Sequence, residues 1–290
     1  MKKLAVCLHF YYREQLEKVL TYLKNLRRVD YDLFVTLSQE SQEDADQFRH
    51  IKPDAKIWVA PNRGYDVGPF IDFLHQIDLD RYDYVLKIHT KNCHSKNYTW
   101  LNRNRMDGEL WNQILWDAVL KNESRVQKNL GFLDKNPKTG MLSSTYCLTS
   151  GQVNYQKLLP AINQELKKMD FKPVSVLKFV AGTIFYVRSS LLKPFLRYHL
   201  HDFDKTDASV AEGTLAHVIE RLFGNVVEQQ GYQIRGIRHD NYTIKFLWIA
   251  FKRFLYQKKV TNSNRKIIKI MKLPVYSRKY HDGINKSFGA

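Results

Sequence analysis

Four short runs rich in β-branched and other apolar residues, at 4–10, 33–37, 55–59 and 84–88, are separated by stretches with helical character. Across 13–28, Leu16, Val19, Leu20, Leu23 and Leu26 recur at helical spacing; 41–50 is polar and helix-forming, and 70–79 offers a third helix. Such alternation predicts a parallel, doubly wound α/β sheet, because parallel neighbours need a long crossover that a helix supplies. Ligands of these sheets sit beyond the carboxyl ends of the strands. Two segments of interest fall there: the loop at 62–69 after the third strand, and His89-Thr90-Lys91 after the fourth.

The pattern continues less regularly. Helices are expected within 100–120 and over 153–169, 190–198 and 213–223, a short strand around Gly140-Met141-Leu142, and one buried strand over 178–187. With 290 residues, 44% of them hydrophobic, the chain can bury a core of one large or two small domains, which excludes a disordered or fibrous protein. Cys7, Cys93 and Cys147 are odd in number, far apart and free of any CxxC pair. They predict neither a disulfide framework nor a structural zinc site, and fit a reducing cytoplasm. Residues 4–8 follow two lysines as a signal peptide would, but the run stops at His9 without a small-residue cleavage site, so it is read as a first strand. No apolar stretch approaches the roughly 20 residues that span a bilayer, so an integral membrane protein is not expected.

Charge divides the chain. Residues 241–290 hold twelve Lys and Arg against one acid, Asp282, and so carry eleven of the seventeen net positive charges. This predicts a main domain over 1–240 and a basic extension over 241–290. Ile244, Leu247, Trp248, Phe251, Phe254 and Leu255 form a helical stripe with Lys245, Lys252, Arg253, Lys258 and Lys259 around it. A basic amphipathic helix over 244–259 can lie on an anionic membrane surface, or dock on the core with its charges solvated. A basic chain with 17 Tyr and 16 Phe also suits nucleic-acid binding. Its aromatics lie mostly in apolar runs and its charge in the tail, so no nucleic-acid partner is expected.

Several residues could carry chemistry. The two glycines of Asn62-Arg63-Gly64-Tyr65-Asp66-Val67-Gly68-Pro69-Phe70 permit either a structural turn or close approach of main-chain N–H groups to a ligand. Lys91, at the end of the fourth strand, could neutralise developing negative charge on a bound ligand. Gly182-Thr183 interrupts an apolar strand where a backbone could meet a substrate. Glu212 opens the helix at 213, either as a cap or as a general base. His217 and Arg221, four apart on that helix, could reach a diphosphate or form a surface ion network with Glu220. Asp-x-Asp triplets occur at Asp30/Asp32, Asp78/Asp80 and Asp202/Asp204, none of them after the fourth strand.

The order of four segments, 62–70, 82–91, 179–188 and 212–221, resembles the rhamnan synthesis protein F family of bacterial surface-polysaccharide glycosyltransferases across roughly 1–240. The resemblance implies a glycosyltransferase type A-like fold, with a mostly parallel Rossmann-like sheet flanked by helices and, here, the helical arm appended. It implies transfer of a sugar, L-rhamnose from a dTDP-linked donor, to a lipid-linked or growing polysaccharide, with inversion, at the cytoplasmic face of the membrane. On that analogy the donor would meet His9, Asn62, Arg63, Gly64, Asp66, His89, Thr90, Lys91, His217 and Arg221, and the acceptor Gly182 and Thr183. Glu212 would be the base, with Asp207 in reserve. Where most type A enzymes carry a metal-binding Asp-x-Asp, this chain has His89-Thr90-Lys91. Magnesium or manganese is therefore admitted but assigned no ligands, and a metal-independent reaction is expected. A catalytically inactive sugar-nucleotide-binding scaffold is the alternative reading.

Overall fold

The computed structural model describes residues 3–93, 99–101, 104–151, 157–206, 213–260, 265–271 and 273–279. The first half alternates as expected: β1 (Leu4–Phe10), α1 (Leu16–Leu23), β2 (Tyr31–Leu37), α2 (Gln42–Ile51), β3 (Lys56–Val59), α3 (Val67–Gln76) and β4 (Tyr84–His89). There follow β5 (Thr99–Leu101), β6 (Asn104–Met106), α4 (Gly108–Leu120), α5 (Glu123–Lys135), β7 (Thr139–Ser144), β8 (Leu148–Gly151), α6 (Leu159–Lys168), β9 (Leu177–Val180) and β10 (Phe185–Arg188). The chain continues through a 3-10 segment at Ser189–Arg197 into α7 (Leu215–Gln229), β11 (Gln233–Ile237), α8 (Thr243–Leu255), β12 (Tyr256–Val260), β13 (Arg265–Ile270) and β14 (Leu273–Lys279).

Seven strands form the main sheet in the order β11-β7-β10-β4-β1-β2-β3. Only β10 runs against its neighbours, β4 and β7. The α/β class with a mostly parallel sheet flanked by helices is thus the one found. Every residue of β1 and β4 is buried, as central parallel strands covered on both faces must be. Helices α1, α2, α4 and α5 pack together on one face; α3 and α7 lie on the other, with α6 outside α7. Phe70 and Phe73 of α3, Phe185 of β10 and Phe223 of α7 join the two elements of the second face through ring contacts of 5.5–6.3 Å.

Three expectations need correction. The strand read over 178–187 is two strands: β9 pairs with β8 in a small antiparallel ribbon, while β10 enters the main sheet. Gly182 (φ 87°) and Thr183 (φ 48°) sit between them in the left-handed region, which no continuous strand tolerates. The third helix begins at Val67, because Pro69 in a first turn gives up an N–H that has no helical partner there. The arm helix ends at Leu255, and the segment expected to extend it to 259 is β12, which pairs with β13 in a three-stranded antiparallel sheet.

Candidate functional site

Parallel register sets the floor of the site. β1 pairs with β4 so that His9 lies beside His89 at the carboxyl ends of both strands. Alternation along β4 puts Lys87 on the same side as His89. From the start of α3, Asp66 meets them: Lys87 Nζ lies 2.5 Å from Asp66 Oδ2 and donates to Thr183 Oγ1 (3.0 Å) and to the Thr183 carbonyl (3.2 Å). The Thr183 hydroxyl in turn donates to Asp66 Oδ2 at 2.5 Å. His89 Nε2 is 2.9 Å from the Gly182 carbonyl and 3.5 Å from Asp66 Oδ2. The Gly182 N–H donates to Glu220 Oε1 of α7 at 3.1 Å, so this one residue is gripped through its N–H by α7 and through its carbonyl by β4.

The cluster is electrostatically settled. Burial alone would raise the Asp66 carboxyl, but the neighbouring His89 ring and the Lys87 ammonium outweigh it and hold the group well below the usual carboxylate range. Burial pushes His89 down to about 4 and His9 to about 3, with Asp66 opposing both shifts. His9 Nδ1 is 2.9 Å from the Thr36 hydroxyl. Burial therefore disfavours charge on both rings beside the Lys87–Asp66 pair.

Above this floor the chain returns twice to a single loop. Thr206 N donates to the Asn62 carbonyl (3.0 Å), Gly64 N to the Asp204 carbonyl (3.1 Å), Tyr65 N to Thr206 Oγ1 (3.0 Å) and Arg63 Nη1 to the Phe203 carbonyl (2.7 Å). Gly64 has φ 66°, and a Cβ there would strike the Phe203 ring at 2.6 Å, so only glycine fits. Tyr65 follows at φ 55°. Its ring lies 5.2 Å from that of His217 in the first turn of α7, where His217 Nδ1 faces the Thr214 hydroxyl at 2.7 Å. Residues 206 and 214 are therefore both fixed beside Tyr65. Glu212 and Asp207, the expected base and its reserve, lie between them and outside the described residues.

The remaining expected residues divide into rim and interior. Asn62 is exposed, and Arg63, Lys91 and His217 are half-buried. Lys91 Nζ rests over the Trp111 ring, 4.0 Å from its centroid, on the side of the site formed by α4. His89, Thr90 and Thr183 are buried, so their side chains face the protein and not solution. Thr90 Oγ1 accepts from the N–H groups of Tyr11 and Tyr12 and turns the chain after β1. Arg221 corrects the surface-network reading: it is buried, bound to the His217 carbonyl (2.9 Å) and Glu220 Oε2 (2.8 Å), with its guanidinium over the Phe179 ring. Sequence reasoning passed over Lys87, Tyr65 as a strained residue, and the grip of Glu220 on Gly182. A lysine inside an otherwise apolar strand was the signal for the first.

A divalent cation does not fit the end of β4. Both His89 ring nitrogens face main-chain carbonyls, of Thr90 (3.0 Å) and Gly182 (2.9 Å), Asp66 is paired with Lys87, and Lys91 adds positive charge. The Asp-x-Asp triplets are structural in part. Asp32 receives the Tyr82 hydroxyl and Lys3, Asp78 caps a 3-10 turn, Asp80 pairs with Lys193, and Asp202 caps the turn that begins at His199. No group of three or more metal-ligating side chains occurs among the described residues.

The family model for rhamnan synthesis protein F matches residues 1–232. The uncharacterized protein WxcX of Xanthomonas campestris pv. campestris, in strains B100 and ATCC 33913, is 27% identical over 186 residues, which is 60% of this chain and 24% of that protein. The chain thus spans about a quarter of the length of the curated relatives it matches. Among solved structures, S. aureus TarS 1–349 aligns with TM-score 0.42 and 10% identity over 81% of this chain and 58% of that one. Glucosyl-3-phosphoglycerate synthase from Mycobacterium tuberculosis, in complex with Mn2+, UDP and glucosyl-3-phosphoglycerate, gives 0.37 and 13% over 96% and 90%. The mannosyltransferase PcManGT from Pyrobaculum calidifontis, in complex with GDP-Man and Mn2+, gives 0.37 and 14% over 81% and 55%.

Proposed function

The chain belongs to the rhamnan synthesis protein F family, and from that membership we propose that it is a glycosyltransferase that moves a sugar from a nucleoside diphosphate donor to a bacterial surface polysaccharide. The observation that carries the reading is the convergence at the carboxyl end of the sheet: the 62–66 loop, the end of β4 and the first turn of α7 meet there around two non-glycine residues, Tyr65 and Thr183, held at positive φ. Backbone strain of this kind costs of order 1–3 kcal/mol per residue and is retained where a site needs it.

In this reading the donor is dTDP-L-rhamnose and the acceptor a lipid-linked or growing saccharide at the inner face of the membrane. Arg63, Lys91 and His217 on the rim face the diphosphate; Arg63 supplies N–H donors, and Lys91 a mobile charge for the leaving group. Asn62 presents its exposed side-chain amide to the nucleotide, and Gly64 gives the loop the tight turn that holds it there. The buried His9, His89, Thr90, Thr183 and Arg221, with the partly buried Asp66, hold the floor rigid, so that the rim need not reorganise as charge develops. Gly182 shapes the acceptor wall. Glu212, carried on the segment between the two anchors at Tyr65, removes the acceptor hydroxyl proton as that oxygen attacks the anomeric carbon, and inversion follows from one displacement. Asp207 is the second candidate for that proton. No step uses a metal.

The test is release of nucleoside diphosphate from a panel of sugar nucleotides on a lipid-linked acceptor, with and without EDTA. Expected is EDTA-resistant turnover of one donor, lowered about 100-fold or more in Glu212→Gln, the scale of a lost general base. Full activity in Glu212→Gln transfers the role to Asp207. Turnover abolished by EDTA rejects the part given to Lys91, and donor binding without turnover would make the chain a scaffold.

A further inference from the structure

Helix α8 has two apolar faces, and the body of the protein covers one. Tyr242, at the helix entry, Phe246 and Ile249 are buried. The Tyr146 ring packs against Tyr242 at 5.6 Å and Phe246 at 5.4 Å. The Tyr242 hydroxyl donates to Asp117 Oδ2 at 2.7 Å, and Lys245 Nζ to Gln113 Oε1 at 2.8 Å. The helix is thus docked, not trailing.

At 3.6 residues per turn, positions 244, 248, 251 and 255 lie about 200° round from the side that 246 and 249 bury. That outer face is apolar and open. Ile244 is 80% exposed, Leu247 64%, Trp248 54% and Phe251 50%, and Phe254 and Leu255 continue it. Trp248 and Phe251 stack at 5.8 Å, and Lys252 Nζ stands over the Trp248 ring at 5.1 Å. A contiguous patch of this kind marks a surface that binds something apolar.

We propose that the outer face of α8 is an interfacial membrane-binding surface selective for anionic lipid. Two observations choose lipid. Helix α8 contains no acidic residue, and residues 241–290 as a whole hold twelve basic residues against one acid, which suits a negatively charged leaflet. Stacked aromatics with a lysine over them match the boundary between acyl chains and headgroups, where rings insert and ammonium groups stay wet. No helix among the described residues is long and apolar enough to cross a membrane, so this surface would bind in plane. Its position gives it a use. β11 ends at Ile237 beside Ser144, at the carboxyl end of the sheet, and α8 starts six residues later and packs against β6. Helix α8 is therefore tied to elements that adjoin the carboxyl end of the sheet, the end that carries the candidate site. That use, bringing the site to an acceptor embedded in lipid, rests on the transfer reading; the surface itself does not.

The experiment is sedimentation of the full chain with phosphatidylcholine vesicles, with and without phosphatidylglycerol, beside sedimentation velocity without lipid and binding to a labelled oligonucleotide. Expected is binding to the anionic vesicles that weakens with salt and falls at least tenfold in Trp248→Ala/Phe251→Ala. Both side chains lie outside the packed core, so the double variant should keep the wild-type circular dichroism. No binding to anionic vesicles, or equal binding by the double variant, overturns the proposal. So does a dimer abolished by the double variant without vesicle binding, and so does a preference for the oligonucleotide over vesicles. Turnover of a water-soluble acceptor by wild type and double variant alike separates the two readings: its absence, with vesicle binding intact, would fail the transfer reading alone.

Discussion

Lys87 stands in the middle of a strand with no exposed residue, and its own exposure is 1%. A buried ammonium persists only when paired and hydrogen-bonded, and here Asp66 and Thr183 provide both. Removing one partner should be far worse than removing both. Lys87→Met is expected to lower the unfolding free energy by about 3–5 kcal/mol, whereas Lys87→Met/Asp66→Asn should regain most of it, as read by urea titration. A single variant no less stable than wild type would show that the pair carries no structural weight. Four members of this cluster, His9, Asp66, His89 and Thr183, were legible in the sequence as candidates; their arrangement was not. Residue type and strand position mark groups that can do chemistry, but whether a group faces inward is decided by partners 21 to 117 residues away. The same limit hid the inward turn of Arg221, which helical spacing placed correctly beside His217 and could not aim.

At the level of elements, periodicity located β1, β2, β4 and α1 because their apolar residues recur regularly, and the short β3 and polar α2 because they fall between those elements and turn residues. It failed where a break is made by backbone angle. Gly182 and Thr183 lie within one apolar run, so the division into β9 and β10 left only that Gly-Thr pair as a trace. β12 to β14 were missed for a different reason: their runs are rich in lysine and arginine, which a search for apolar runs passes over. Glycines in helices separate propensity from packing. A Cβ at Gly224 of α7 would come within 2.2 Å of the Lys178 carbonyl and 2.8 Å of Phe179 Cα, because α7 crosses β9 in direct backbone contact. At Gly131 of α5 it would meet nothing within 4 Å. Gly131→Ala is thus expected to stabilise by about 0.5–1 kcal/mol through helix propensity. Gly224→Ala should destabilise by about 1–3 kcal/mol, since α7 must move off the ribbon. Thermal melts of the two single variants check both signs.

Over the whole molecule, acid stability follows from histidines held neutral. Burial depresses His89 and His239 to about 4 and His9 to about 3, from an ordinary value of 6.5. The unfolded chain therefore takes up these protons first as pH falls. Stability is intact above about 6.5, drains as pH falls to about 4 for His89 and His239 and to about 3 for His9, and stops draining on their account only when the folded rings protonate. The slope is about 1.4 kcal/mol per pH unit for each histidine. Melting temperature is expected to fall steadily from pH 7 to pH 5, and less steeply in His239→Asn; a flat profile over that range would contradict the burial of these rings.

The carboxylate of Asp117 takes the Tyr22 hydroxyl from α1 on one oxygen at 2.6 Å and the Tyr242 hydroxyl from the entry to α8 on the other. Those two tyrosines are separated by most of the folded chain, so a segment near its beginning and the basic arm near its end are latched to the same buried atom pair. The two spans, 95 and 125 residues, differ too little for loop entropy to order them. What the shared carboxylate sets is a dependence: the seat of the arm is complete only where the first βα unit and α4 have come together, so loosening either leaves α8 with one anchor fewer.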